Sequence, residues 1–196
     1  VELRNLGYEV NHLDLGGGFG VDYTMKNSLN YKSFSKALNE VFKNNEFQLS
    51  IEPGRSLIAE SGVLLTKVIR TKSTNYKNFL IVDAAMNNLI RPTLYNASHS
   101  IEPLKIKSDR SSKKYDIVGP ICETGDFLGI DFNLQETKKN EVLAIMTCGA
   151  YGSVMRSNYH SRPSAAEVFI FNNKEILLRK REKIDELLKN DIMPNF

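Results

Sequence analysis

Two periodicities divide the chain. Across YKSFSKALNEVFKNN, apolar side chains recur at three- and four-residue intervals (Tyr31, Phe34, Ala37, Leu38, Val41, Phe42), which predicts a helix with one apolar face. On either side lie two short apolar runs. VNHLDL runs into the glycine loop GGGFG, and FQLSIE stops at Pro53-Gly54. Strand, helix, strand in that order predicts a parallel α/β unit.

After residue 60 the pattern changes. GVLLTKVIRTK, KNFLIVDA, IEPLKIK, YDIVGPI, EVLAIMT and AEVFIFNNKEILLRK are β-branched or aromatic runs separated by turn residues. They predict a mostly antiparallel β region, with Asn172-Asn173 as a hairpin turn. The one later helix signal is EKIDELLKN, with Ile184, Leu187 and Leu188 on one side. No internal repeat or low-complexity tract interrupts the chain. The boundary falls near Glu60 to Gly62, giving expected domains of 1–60 and 61–196.

Composition narrows the classes. The 196 residues are 41% hydrophobic and 25% charged, as in an ordinary soluble globular protein, and the net charge of +3 demands no polyanionic partner. KIKSDRSSKK (Lys105 to Lys114) is basic but serine-rich and lacks interleaved aromatics, so it reads as a solvated loop rather than a nucleic-acid site. No run approaches the ~18 apolar residues of a membrane span. Two cysteines, Cys122 and Cys148, do not make a disulfide framework, and a cytoplasmic location is the expectation. The opening VELRNLGYEVNHLDL lacks the apolar core and cleavage site of a signal peptide. It reads as the tail of a helix, and the chain as a fragment.

Five stretches carry candidate chemistry. Gly16, Gly17, Gly18 and Gly20 follow a strand; their backbone fits a phosphate cradle and an ordinary tight βα turn equally well. IEPGRS sets Glu52 and Arg55 at a strand's carboxyl end, where a ring nitrogen and an anion are possible partners, and a surface salt bridge is the plain alternative. VDAAMNNLIRPTLY carries Arg91 and Tyr95 four residues apart; alone, it reads as a solvated arginine and a packing tyrosine. YDIVGPICETGDF presents Cys122 beside Glu123 between two glycine turns. CGAYGSVMRSNYHSRP places Tyr151 between glycines, able to donate to a phosphate. His12, His99 and His160 lack metal-ligand spacing.

Taken in order, GGGFG, EPGR, VDAAMNNLIRPTLY, GPICETGD and GAYGSVMRSNYHSRPSAAEV closely resemble the C-terminal part of the diaminopimelate decarboxylases, fold-type III pyridoxal-phosphate enzymes. The resemblance runs from about Asn11 to Phe196. The glycine loop and EPGR are shared with ornithine and arginine decarboxylases; the later motifs are more specific. Ala85 and Asn88 stand where the family usually shows Gly and Asp.

The resemblance implies an α/β plus β fold class: the last strands of a (β/α)8 barrel, followed by a mostly antiparallel β-barrel domain. It implies a carboxy-lyase that converts meso-2,6-diaminopimelate to L-lysine and carbon dioxide with pyridoxal 5'-phosphate, the last step of lysine biosynthesis. It implies that Gly17 and Gly18 bind the cofactor phosphate and that Glu52 pairs with the pyridinium nitrogen. Arg55 and Tyr151 serve both cofactor and substrate; Arg91, Tyr95 and Glu123 bind substrate. Cys122 is implied as the proton donor to the decarboxylated carbon, a role a mostly protonated thiol can fill near neutral pH. The family's loop enters the partner subunit's site, which implies a homodimer. Cys148 is expected to be a buried apolar residue. No lysine here matches the family's Schiff-base lysine, so the 196 residues alone are expected to be inactive. The alternatives are a related decarboxylase of another basic amino acid, or a non-catalytic module of the same fold. Neither a metal, nor a nucleic acid, nor a membrane is expected.

Overall fold

In the computed structural model, which describes residues 2–26, 30–43 and 47–194, the two periodicities become two kinds of sheet. One helical turn, α1 (Glu2–Asn5), precedes β1 (His12–Asp14). Helix α2 (Tyr31–Phe42) then leads to β2 (Gln48–Ser50), which pairs in parallel with β1. Asn30 Oδ1 accepts the Ser33 N–H at 3.0 Å and satisfies one of the free donors of the first turn of α2. The apolar face of α2 is less covered than its pattern predicts. Phe34 meets Phe19 edge-on at 4.8 Å, but Tyr31 and Val41 stay exposed. Two three-residue strands offer too little surface to bury the whole stripe.

Beyond β2 the chain passes through α3 (Arg55–Ile58) and a 3-10 turn at Ala59–Ser61. It then builds β3 (Leu64–Ser73), β4 (Asn78–Val82), α4 (Arg91–Tyr95), β5 (Ile101–Pro103), β6 (Ser112–Val118), β7 (Phe127–Gln135) and β8 (Val142–Ile145). These strands form one sheet in the order β5-β8-β3-β4-β6-β7. All neighbours are antiparallel except β4 and β6, whose connection carries α4 and β5 and is long enough to return to the same end of the sheet.

Strand β7 is an element the periodicity does not predict. Gly129 and Asp131 (φ +53°) interrupt its alternation, and its register with β6 shifts twice, yet Leu128 and Leu134 reach the core. The sheet curls until its edges meet. A Cβ on Gly129 of β7 would stand 3.2 Å from Ile101 Cδ1 of β5. Gln135 of β7 accepts the Lys107 N–H at 2.9 Å and donates to the Lys105 carbonyl at 2.8 Å, stitching the chain beyond β5 across the seam. The result is mostly sheet, nearly closed and barrel-like. Val68, Leu80, Val82, Ile117, Leu143 and Ile145 fill it with no solvent exposure. Full burial of each aliphatic side chain contributes about 1.5–3 kcal/mol relative to exposure.

A separate hairpin, β9 (Glu167–Phe171) and β10 (Lys174–Arg179), turns at Asn172 and Asn173, both at positive φ (+47° and +58°), as the sequence predicts. The last helix, α5 (Ile184–Leu187), is a single turn, shorter than its spacing suggests. Among the described residues no helix is long and apolar enough to cross a membrane.

Candidate functional site

The parallel pairing of β1 with β2 brings the glycine loop beside Glu52. Asp14 Oδ1 accepts the Gly16 N–H at 2.8 Å, and the Gly16 carbonyl accepts the Glu52 N–H at 2.8 Å. A Cβ on Gly17 would stand 2.7 Å from the Glu52 carbonyl oxygen, so only glycine permits this approach. Gly16 and Gly18 both take positive φ, +68° and +80°. Gly17, Gly18 and Gly20 are exposed, which leaves their backbone open to a ligand, while Phe19 packs inward. No ion pair joins Glu52 to Arg55 among the described residues, so the surface salt bridge does not form.

Arg55 opens α3, and its side chain lines a cavity of about 580 Å³ together with Tyr23, Arg91, Tyr95, Tyr151 and Met155. Four residues that the sequence singled out thus converge from three separate segments. A more open hollow along α2, about 690 Å³, is lined by Lys32, Lys36 and Glu40 and gathers none of the candidate groups.

Arg91 is not the solvated arginine that its segment alone suggests. It is 5% exposed, and its Cζ lies 4.9 Å from the Tyr23 ring, 5.7 Å from Tyr95 and 5.8 Å from Tyr151. Among the described residues no carboxylate pairs with it, and its Nε has no hydrogen-bond partner. Aromatic faces offset part of a buried cation's desolvation, but an anion offsets more. The cavity therefore holds two guanidiniums and no acid, which suits a ligand carrying carboxylate or phosphate. Tyr151 itself sits at φ +57°, a strained conformation held in place beside Gly152, whose missing side chain leaves room for the Cys148 carbonyl.

The sequence reading misses Tyr23 and takes His99 as structural or incidental. Tyr23 reaches the cavity from the segment after the glycine loop and is tied to the sheet domain by the Ser100 N–H, 2.9 Å from its carbonyl. Its ring meets that of His99 edge-on at 4.7 Å. His99 is fully buried, with Nδ1 2.9 Å from the Met146 carbonyl, which fixes the Nδ1–H tautomer. Burial pushes its pKa down; the Met146 carbonyl opposes the shift, and the nearby Arg91 charge adds to it. The net shift favours the neutral imidazole beside the guanidinium. Neither residue carries a spacing signal, because both meet Arg91 only through the fold. Cys148 is buried as expected, and burial pushes its thiol up to about 12.

Cys122 and Glu123 are not among the residues that line this cavity. Both are exposed on the β6–β7 loop. Glu123 Oε1 accepts the Gly125 N–H at 3.3 Å, and Oε2 accepts the Tyr159 hydroxyl at 3.4 Å. The chain thus carries three groups of candidate residues: the glycine loop with Glu52, the recessed cationic cavity, and the exposed loop with Cys122 and Glu123. Among the described residues no cluster of His, Cys, Asp and Glu fits a metal.

Known proteins match this arrangement along nearly the whole chain. A diaminopimelate decarboxylase from Aquifex aeolicus is 42% identical over 188 residues, which is 95% of this chain and 44% of that protein. One from Vibrio cholerae is 45% identical over 186 residues, 94% of this chain and 44% of that protein. The crystal structure of a diaminopimelate decarboxylase from M. jannaschii in complex with L-lysine superposes with a TM-score of 0.90 at 35% identity, covering 98% of this chain and 45% of that one. The chain therefore spans about half the length of the relatives it matches and is similar to their C-terminal part. The sequence profile described as "Pyridoxal-dependent decarboxylase, C-terminal sheet domain" matches residues 19–149, from Phe19, just after Gly16, Gly17 and Gly18, to just beyond β8. The matched segment holds the whole six-stranded sheet and Tyr23, Arg55, Arg91 and Tyr95 of the cavity, and the chain belongs to the family of pyridoxal-dependent decarboxylase C-terminal sheet domains.

Proposed function

We propose that the chain is the C-terminal part of a diaminopimelate decarboxylase, a lyase that releases carbon dioxide from meso-2,6-diaminopimelate and leaves L-lysine. The observation that carries this reading is the cavity lined by Arg55 and Arg91 without a carboxylate. A substrate with a carboxylate at each end offers one for loss and another for Arg91. A basic amino acid with no distal carboxylate would leave the arginines facing each other unpaired, which argues against the related decarboxylases.

The residues fit pyridoxal 5'-phosphate. Gly17 and Gly18 present open backbone for its phosphate, Tyr151 and Arg55 of the cavity are assigned to that phosphate as well, and Glu52, whose carboxylate has no partner among the described residues, is assigned to the ring nitrogen. When bound, the cofactor supplies the electron sink for the bond that breaks. The chain's own residues do the rest. Arg91, against Tyr23 and Tyr95, holds the distal carboxylate, with Tyr95 and Tyr151 closing the walls. Glu123 takes the distal ammonium. Cys122 Sγ gives its proton to Cα once the bond to the carboxylate has broken, and the thiolate regains a proton from solvent.

Residues 1–60 are read as the closing strands of a cofactor-holding (β/α)8 barrel and 61–196 as the sheet domain. Cys122 and Glu123, exposed and not among the cavity's lining residues, are assigned to the partner's site in a homodimer in which each loop completes the other subunit's site. The lysine that anchors the cofactor is assigned outside these 196 residues. Two free cysteines suit a cytoplasmic enzyme of lysine biosynthesis.

The test is a full-length enzyme carrying these residues, loaded with pyridoxal phosphate and given meso-diaminopimelate, ornithine, arginine or lysine. Lysine and carbon dioxide should appear in equal amounts from diaminopimelate. Preferred turnover of ornithine, arginine or lysine would overturn the substrate assignment.

A further inference from the structure

We propose that Asp126 and Thr93 are the positioning residues of the Cys122–Glu123 loop, fixing its thiol and carboxylate relative to the helix that carries Arg91 and Tyr95. The inference rests on the roles proposed above for Cys122 and Glu123. It starts from a carboxylate that the mechanism does not use.

Asp126 is 4% exposed, and no cation pairs with it among the described residues. Its charge is met by backbone alone. Oδ2 accepts the N–H of Ile121, the residue before Cys122, at 2.6 Å. Oδ1 accepts the N–H of Met86, on the segment that leads into α4, at 2.7 Å. One side chain therefore grips the reactive loop with one oxygen and the approach to the arginine helix with the other. Short bonds from N–H groups to a carboxylate are the strong kind. The loop also closes on itself, with the Gly119 N–H on the Asp126 carbonyl and the Asp126 N–H on the Glu123 carbonyl, both at 3.1 Å. A loop whose only task was to join β6 to β7 needs no buried carboxylate.

Thr93 supplies a second anchor. It lies on α4 between Arg91 and Tyr95, and its hydroxyl donates to the Gly125 carbonyl at 2.5 Å. Two glycines make room for the two anchors. A Cβ on Gly119 would collide with the Asp126 carboxylate, and one on Gly125 would stand 2.7 Å from Thr93 Cγ2. The stretch GPICETGD then has a physical reason at both ends: a glycine beside each anchor, and the reacting pair between them.

The experiment uses a full-length, cofactor-loaded enzyme carrying these residues, with Asp126→Asn, Thr93→Val and Thr93→Ser. Asp126→Asn keeps the shape but replaces one acceptor with a donor facing an N–H. Turnover should fall about 10- to 100-fold, as misplaced reacting groups typically cost, with cofactor loading unchanged. The rate of iodoacetamide alkylation at Cys122 without substrate should rise about fivefold as the loop loosens. Cys148, buried and held protonated, serves as the silent control. Thr93→Val should shift both readouts in the same direction, and Thr93→Ser, which keeps the hydroxyl, should restore them. If Asp126→Asn does not fold, the two Thr93 variants decide. Unchanged alkylation and turnover in Thr93→Val and in folded Asp126→Asn would overturn the inference, as would a turnover loss with no change in alkylation. Raised alkylation with full turnover would support the anchoring and instead remove Cys122 as the proton donor.

Discussion

Arg91 lies with its guanidinium 4.9 Å from the ring of Tyr23, which in turn meets the buried ring of His99 at 4.7 Å. The cation is thus held by rings rather than by an acid, and its hydrogen-bonding capacity is kept for whatever enters the cavity. The downward shift of His99 matters here, because a second positive charge behind Tyr23 would raise the cost of keeping Arg91 buried.

Arg91→Ala in a full-length enzyme should weaken substrate binding and spare the cofactor. A charge-assisted hydrogen bond contributes about 1.5–3 kcal/mol, which corresponds to roughly a 10- to 150-fold rise in KM for diaminopimelate. The check is KM measured beside the cofactor Kd. A collapse of cofactor affinity with KM unchanged would move Arg91 to the cofactor.

Cys122→Ala should lower turnover by ~10²–10⁴-fold, the usual contribution of a general acid, with cofactor loading nearly intact. Subunits bearing it, mixed with subunits lacking the anchoring lysine, should regain partial activity, because one of the two interfaces then has both groups. Normal turnover in the variant would eliminate the proton-donor role. Impaired turnover without rescue would return the thiol to its own subunit's site.

The 196 residues by themselves should not decarboxylate diaminopimelate, since no lysine lines the cavity among the described residues. Purified chain, pyridoxal phosphate and substrate are incubated together, and lysine is assayed. Production at the rate of a full-length enzyme would place the anchoring amine within this chain.

The seam of the sheet should be acid-sensitive. Glu141 is held down to about 2, first by the hydrogen bond from Arg110 at 2.6 Å, against the opposing effect of burial, with further help from the Lys138 N–H and Lys107. A depressed carboxylate contributes stability that is fully present above its ordinary value of ~4.5 and is lost as pH falls toward 2. The pair is partly exposed and screened by solvent, so its contribution is modest. Thermal melts between pH 6 and about 2.5 should show Tm falling less steeply for Glu141→Gln than for the parent. Parallel curves would remove Glu141 from the account.

Local patterns were legible where local physics decides. The hairpin at Asn172-Asn173 reads from two residues that tolerate positive φ, and β3 and β4 read from their β-branched runs. Strand β7 was not legible, because Gly129 and the positive φ of Asp131 break its alternation while β6 supplies the pairing. Helix α4 is five residues long, too short for a 3.6-residue period to show. At the candidate site, the motif residues Arg55, Arg91, Tyr95 and Tyr151 were legible by type and meet in one cavity. Tyr23, His99 and Asp126 were not, since each matters through partners distant in sequence: Arg91 for Tyr23, Met146 for His99, Met86 for Asp126.

Helix α4 touches the cavity through Arg91 and Tyr95 and the exposed loop through Thr93. On the proposed roles, substrate preference and proton delivery would share one strut and could not evolve independently. A substitution that widens the cavity by shifting α4 also drags the anchor at Gly125, so its effect depends on what occupies the loop. Paired changes at Tyr95 and Glu123 should be strongly non-additive, although the two side chains belong to different groups. Redesign of this family toward longer or shorter diacids would then succeed only through coordinated changes in RPTLY and GPICETGD, with either change alone passing through a poorer enzyme.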